Sequence, residues 1–192
     1  MLRNLIILIL SIICSYSTLY AQDQNILLIG DCNKSGIDKM LQYLNKNGQI
    51  NLLSENNINI TEENISSYPI IFICNNQYLQ LSNNQINDIA KHIKRGGLFI
   101  IDNITSDYTY SLFIQQLIPE FEKETIQIDD IFNNMIFDLA FEENPFESNA
   151  IFINEKIVLL GIKDFSLLDA WNNENEEFLR LGVNIIFYYL TR

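Results

Sequence analysis

Apolar positions along this chain follow two alternating rhythms. Residues 25–30, Asn-Ile-Leu-Leu-Ile-Gly, form a short unbroken apolar run closed by Gly30 and Asp31, the pattern of a strand covered on both faces in a parallel sheet. Ile37, Met40, Leu41 and Leu44 then recur at helical spacing, and Asn47-Gly48 supplies the stop. Residues 50–53 read as a brief second strand, followed by an Asn-rich connection with a short helical turn near 62–66. Tyr68-Pro69 leads into a second unbroken run, 70–74, where Pro is tolerated because it stands at the strand's start. Ser82 and Gln85 have the spacing of a capping box, and Ile86, Ile89, Ala90 and Ile93 form a helical stripe that ends at Arg95-Gly96-Gly97. Residues 98–101 give a fourth strand that ends in Asp102.

The second half is less regular. Residues 112–117 look helical and stop before Pro119, while 126–128, 151–153 and 157–162 look like strands, the last two joined through Asn154-Glu155. A closing helix from about residue 174 carries Phe178, Leu181, Gly182, Ile185 and Tyr189 on one apolar stripe. Strands that alternate with helices predict an α/β three-layer sandwich with a mostly parallel sheet and right-handed crossovers. The first four strands are expected in the order 2-1-3-4.

The N-terminus departs from this pattern. Arg3, an apolar run over 5–13 and the small or polar stretch ending Leu19-Tyr20-Ala21 read as an export signal cleaved after Ala21. That run is about half the ~20 residues of a membrane-spanning helix, so no span is expected after cleavage. The expected location is periplasmic or extracellular. The alternatives are anchoring by an uncleaved signal or by a lipid on Cys14, although Ser11-Ile12-Ile13-Cys14 puts bulky Ile where a lipidation box has a small residue. The mature chain, 22–192, reads as one domain.

Charge then narrows the partners. The chain has 24 acidic against 12 basic side chains, a net charge of −12, and loss of Arg3 makes it one unit more negative. Nucleic acid is excluded as a partner because its phosphates need clustered Lys and Arg, and an anionic membrane surface is disfavoured for the same reason.

Several motifs occur in a familiar order: Tyr68-Pro69 and its strand, Gly96-Gly97 before Leu98-Phe99-Ile100-Ile101-Asp102, Phe113 to Pro119, Asp169-Ala170-Trp171, and Arg180-Leu181-Gly182-Val183-Asn184-Ile185-Ile186. Together they resemble the bacterial family called domain of unknown function 4159, over nearly the whole mature chain. The resemblance implies a flavodoxin-like or class I glutamine amidotransferase-like sheet, related also to trehalose-utilisation-type proteins, with no established reaction. It also implies gene neighbours of the MoxR-type ATPase and von Willebrand A-domain kinds, hence an envelope assembly as a candidate partner. Two departures stand out: the family's Gly-His pair is replaced by Asn75-Asn76, and its His-Pro pair by Asp129-Asp130.

In open α/β sheets ligands bind beyond the carboxyl ends of the strands, where the strand order reverses. The residues expected there are Asp31, Cys32, Asn33, Cys74, Asn75 and Asn76, with Asp102 and Asn103 beside them. A nucleophilic Cys74 would need a base, yet the one histidine, His92, lies mid-helix, off the apolar stripe, where a solvated side chain is expected. Neither a Cys-His nor a Ser-His-Asp triad is supportable. Cys32 and Cys74 end neighbouring strands, about 4.8 Å apart, and export permits oxidation, so a disulfide between them is expected. Asp31, Asp102, Asp164 and Asp169 could bring acids to one edge for a hard cation or for hydrolysis of a carbohydrate or amide. Structural roles are the preferred reading, with no metal and no cofactor. Trp171 is expected in the core, and Arg180 and Asn184 are expected to fasten the last helix to the domain. The leading expectation is a non-catalytic domain that binds a protein or small-molecule ligand. A degenerate or metal-assisted hydrolase is the alternative.

Overall fold

The computed structural model describes residues 25–48, 50–56, 60–75, 77–133, 135–141 and 145–191, without the side chains of Glu62 and Asp129. The export signal with Cys14 and Ala21, Asn76, and the Asp129 side chain lie outside the described residues.

Chain order is β1 (Asn25–Ile29), α1 (Lys34–Gly48), β2 (Leu53–Asn56), α2 (Glu62–Ile65), β3 (Ile70–Cys74), a 3-10 turn (Gln77–Gln80), α3 (Asn83–Lys94), β4 (Leu98–Ile104) and α4 (Asp107–Leu117). Then follow β5 (Glu124–Ile126), α5 (Ile128–Phe132), β6 (Ser148–Ile153), β7 (Lys156–Lys163), α6 (Leu167–Asn172) and α7 (Glu176–Thr191). The seven strands form one sheet in the order β2-β1-β3-β4-β7-β6-β5. Pairing is parallel from β2 across to β7 and antiparallel for β7-β6 and β6-β5. The expected 2-1-3-4 order is therefore present, and with it a switch between β1 and β3 in the side to which successive strands are added.

The unbroken apolar runs are explained by two cores, one on each side of the sheet. Ile26, Leu28, Ile70, Phe72, Leu98 and Ile100 point to one side, where α1, α6 and α7 pack. Their neighbours Leu27, Ile71, Ile73, Phe99 and Ile101 point to the other, under α3 and α4. Because side chains alternate along a strand, both faces of these runs are apolar until β4 reaches Asp102 near its carboxyl end. Each fully buried Ile or Leu contributes about 1.5–3 kcal/mol.

Local signals set several boundaries. Ser82 and Gln85 close the capping box on α3 from both sides, and Ser106 caps α4, which therefore begins before the predicted residue 112. Asn154 and Glu155, both with positive φ (51° and 64°), turn the β6-β7 hairpin. The strand expected at 126–128 ends at Ile126, and Ile128 instead opens α5. Likewise β2 starts at Leu53, later than the expected 50–53.

Two expectations are overturned by packing. His92 is only 6 % exposed, not solvated: Gly97 has no side chain, and a Cβ there would lie 2.1 Å from the imidazole, so the ring folds into that space. Burial lowers its pKa to about 4, and among the described residues its Nε2 has no hydrogen-bond partner. The last helix is buried over more than the predicted stripe, since Leu179, Val183, Asn184, Ile186 and Tyr188 are covered as well. Asn184 is the reason a polar residue survives there. Its Oδ1 accepts from the Ile136 and Phe137 N–H groups (3.1 and 3.0 Å), and its Nδ2 donates to the Phe132 and Phe137 carbonyls (2.8 Å each). Asn184 thus fastens the helix, and Arg180 adds to this, its guanidinium 5.8 Å from the Phe137 ring centre while it also pairs with Glu176 on the same helix at 2.7 Å.

Candidate functional site

The carboxyl ends of β1, β3 and β4 meet the start of α6 in a cavity of about 210 Å³ lined by Asp31, Cys32, Asn33, Cys74, Asn75, Asp102, Ser166, Leu168 and Asp169. A second hollow of about 460 Å³ shares Ser166 and Asp169 with it and adds Asn103, Asp164, Phe165 and Phe178. The structure thus gathers the described members of the predicted crevice and brings Asp164 and Asp169 alongside them. Residues Ser166, Phe165 and Phe178 come from sequence reasoning's blind side; the Ser166-x-x-Asp169 spacing was the one local signal for the first of them.

Cys32 and Cys74 are joined by a disulfide, with Cα atoms 5.3 Å apart. The bond ties the loop after β1 to the last residue of β3 and forms part of the cavity wall. Above it a chain of carboxamides crosses the three strand ends. Asn103 Nδ2 donates to Asn75 Oδ1 at 3.2 Å, and Asn75 Nδ2 donates to the Asp31 carbonyl at 2.9 Å. Asn75, Asn103 and Asp164 all have positive φ (51°, 61° and 50°), the left-handed conformation that Asn and Asp tolerate better than other side chains. Around Asn103, pairing of β4 with β7 shifts register between Ile101 and Ile104; such irregularities re-aim side chains at strand ends.

Asp102 stands in register with Cys74 and is 2 % exposed. Its Oδ2 accepts from Ser166 Oγ at 2.8 Å and its Oδ1 from the Leu167 N–H at 2.9 Å. Those are the opening groups of α6, so the carboxylate completes the cap that Ser166 begins by accepting from the Asp169 N–H. Burial pushes Asp102 up to about 6, against the pull of these hydrogen bonds and with a further push from Asp169. Asp169 in turn accepts from Asn33 Nδ2 at 2.8 Å, which links α6 to the turn before α1. The contact is close: a Cβ on Gly36 would lie 1.9 Å from the Leu168 carbonyl oxygen, so a glycine is required where the two helix starts meet. Asp31, by contrast, keeps its side chain exposed.

The arrangement removes a thiol nucleophile from consideration. Cys74 is oxidised and 3 % exposed, and His92 lies beside Gly97, at the opposite end of β4 from Asp102. Among the described residues no group of three or more His, Cys, Asp or Glu side chains is placed to hold a metal ion. The four aspartates share an edge without forming a ligand set. Asp130 is exposed on α5 and does not join the crevice: α5's Phe132 packs on the Tyr188 ring at 5.3 Å, toward the far end of α7 from Phe178, and ten helical residues span about 15 Å. Trp171 is a core residue, 1 % exposed, with its indole N–H donated to the Phe178 carbonyl at 2.7 Å and its ring edge-on to Phe72 at 5.9 Å. No helix among the described residues is long and apolar enough to cross a membrane.

In comparison with known families, the family described as "Domain of unknown function (DUF4159)" aligns with residues 29–190. The match covers most of the chain, and the chain belongs to that family. No curated protein matches it.

Proposed function

We propose that this protein is an exported, non-catalytic binding domain whose ligand, a small polar molecule or a segment of an envelope partner, docks in the crevice at the ends of β1, β3 and β4. On this reading residues 1–21 are the export signal, and 22–192 fold as one flavodoxin-like or amidotransferase-like domain. The Cys32–Cys74 bond supports an oxidising compartment, and the 2-1-3-4 strand order supports a ligand site at the reversal. One observation carries the non-catalytic part. The buried acid of the crevice, Asp102, spends both oxygens on the start of α6, whereas the rim offers carboxamides, which bind without exchanging protons. Among the described residues no Lys, Arg or His lines either hollow, which favours a neutral or cationic ligand.

The second reading, hydrolysis of a carbohydrate or amide through Asp31 and Asp102, has one observation in its favour: Asp102 is a carboxyl raised to about 6 by burial, as in general acids. A thermal-shift screen of neutral sugars, amines, amino acids and short peptides separates the two. Binding predicts hits whose stabilisation is lost in Asn75→Ala and which mass spectrometry recovers unchanged. Cleaved hits, with cleavage abolished in Asp102→Asn, would establish hydrolysis instead.

A further inference from the structure

A second surface lies away from the crevice, on α4. Among the described residues the exposed large apolar side chains are Leu53, Leu79, Tyr108 and Leu112, and the last two, 74 % and 48 % exposed, are i, i+4 neighbours on α4. A lone exposed leucine is ordinary, but these two flank a groove of about 570 Å³ that Ile114, Pro119 and Phe121 complete. The basic side chain of the groove is turned inward: Lys123 Nζ donates to Ser111 Oγ at 2.9 Å and sits 5.0 Å from the Tyr110 ring centre. Glu122, also in the lining, has no ion-pair partner among the described residues. The groove is therefore mixed: Leu112, Ile114, Pro119 and Phe121 stand beside Ser111, Gln115, Glu122 and Lys123, and the Glu122 carboxylate is outside any ion pair among the described residues.

Residues 119–123 run directly into β5, the end strand of the sheet, which pairs with β6 and has its other edge outside the ladder. Ile126 of β5 belongs to the core under α7, whereas Ile114 and Phe121 belong to the core on the opposite side. Alternation along the strand then puts Glu124 with Ile126, facing away from the groove, and Thr125 on the groove's side. A segment laid along β5 would present every second side chain to the groove and the others beside Glu124.

We propose that this edge and groove receive an extended segment of a partner protein in which apolar residues alternate with Lys or Arg. Strand addition supplies main-chain hydrogen bonds and the groove supplies side-chain selection. Charge decides the sign: a chain of net charge −12 repels a second copy and attracts a basic segment. Because β5 has only three residues, the backbone contribution is small and the groove must carry much of the affinity. This inference does not depend on the crevice.

The probe is the synthetic peptide acetyl-Lys-Val-Lys-Phe-Lys-Val-Lys-amide, titrated to about 1 mM into ¹⁵N-labelled full mature protein. The expected result is shifts confined to residues 108–126, binding weakened by about tenfold or more in Leu112→Ser, and none with Glu in place of Lys. Tyr108 and Leu112 are exposed, so their serine variants are expected to fold, which the same spectra check. Equal binding by Leu112→Ser, shifts spread over the acidic surface, or no binding at all overturns the proposal. So does sedimentation of the free protein as a dimer that Leu112→Ser dissociates, which would make a second copy the occupant.

Discussion

Two buried titratable side chains, Asp102 and His92, act in opposite directions on stability. Asp102 is raised above its unfolded value to about 6, so between pH 4 and 6 the folded state holds the extra proton and stability falls as pH rises. His92 is lowered to about 4, so over pH 4 to 6.5 the unfolded state holds the extra proton and stability rises with pH. Each contribution is on the order of 3 kcal/mol at 1.36 kcal/mol per pH unit, and in the intact protein they largely cancel. Urea unfolding from pH 4 to 7 is expected to separate them. Relative to wild type, Asp102→Asn should gain stability as pH rises and His92→Phe should lose it. Parallel profiles for all three proteins would show that neither group is held as described. Asp102 was legible as a strand-end acid, but its use was not: Ser166 and Leu167 reach it from more than sixty residues away in sequence. His92 was misread because helical periodicity places it off the stripe, while the space it fills is created by Gly97 on the far side of a turn.

At the scale of elements, the central strands could be read directly, because a strand covered by α1 and α7 on one side and α3 and α4 on the other is apolar on both faces over an unbroken run. The stretch from 127 to 141 could not. Its Ile136 and Phe137 N–H groups and its Phe132 and Phe137 carbonyls are satisfied by Asn184, up to 52 residues away, rather than by a local ladder. Replacing Asn184 by Leu leaves those buried N–H and carbonyl groups unpaired, at a cost of about 1–3 kcal/mol for each group exposed to desolvation without a partner. The expected outcome is a loss of at least about 3 kcal/mol in urea unfolding, with faster hydrogen exchange at Ile136 and Phe137. Unchanged exchange at those two amides would contradict the role given to Asn184. The crevice shows the same division: the strand-end residues followed from a positional rule, whereas Phe165 and Phe178 arrive on elements whose approach only tertiary packing decides.

For the whole molecule, the Cys32–Cys74 bond closes a loop with a sequence separation of 42, which by chain entropy stabilises the fold by about 4 kcal/mol. Its larger consequence is positional, because it holds the loop carrying Asp31 and Asn33 against the end of β3. Reduced protein, or Cys32→Ser with Cys74→Ser, is expected to unfold at lower urea and to bind the crevice ligand more weakly; equal affinity would separate the bond from the site. Binding without chemistry at the crevice is the proposal that most needs a test. The most direct test is a ¹⁵N–¹H titration of the oxidised protein with the strongest hit from the thermal-shift screen, followed by mass analysis of that compound. The account predicts shifts at Asn33, Asn75, Asn103, Ser166 and Asp169 and an unaltered ligand; shifts confined to other surfaces, or a ligand converted to product, would contradict it.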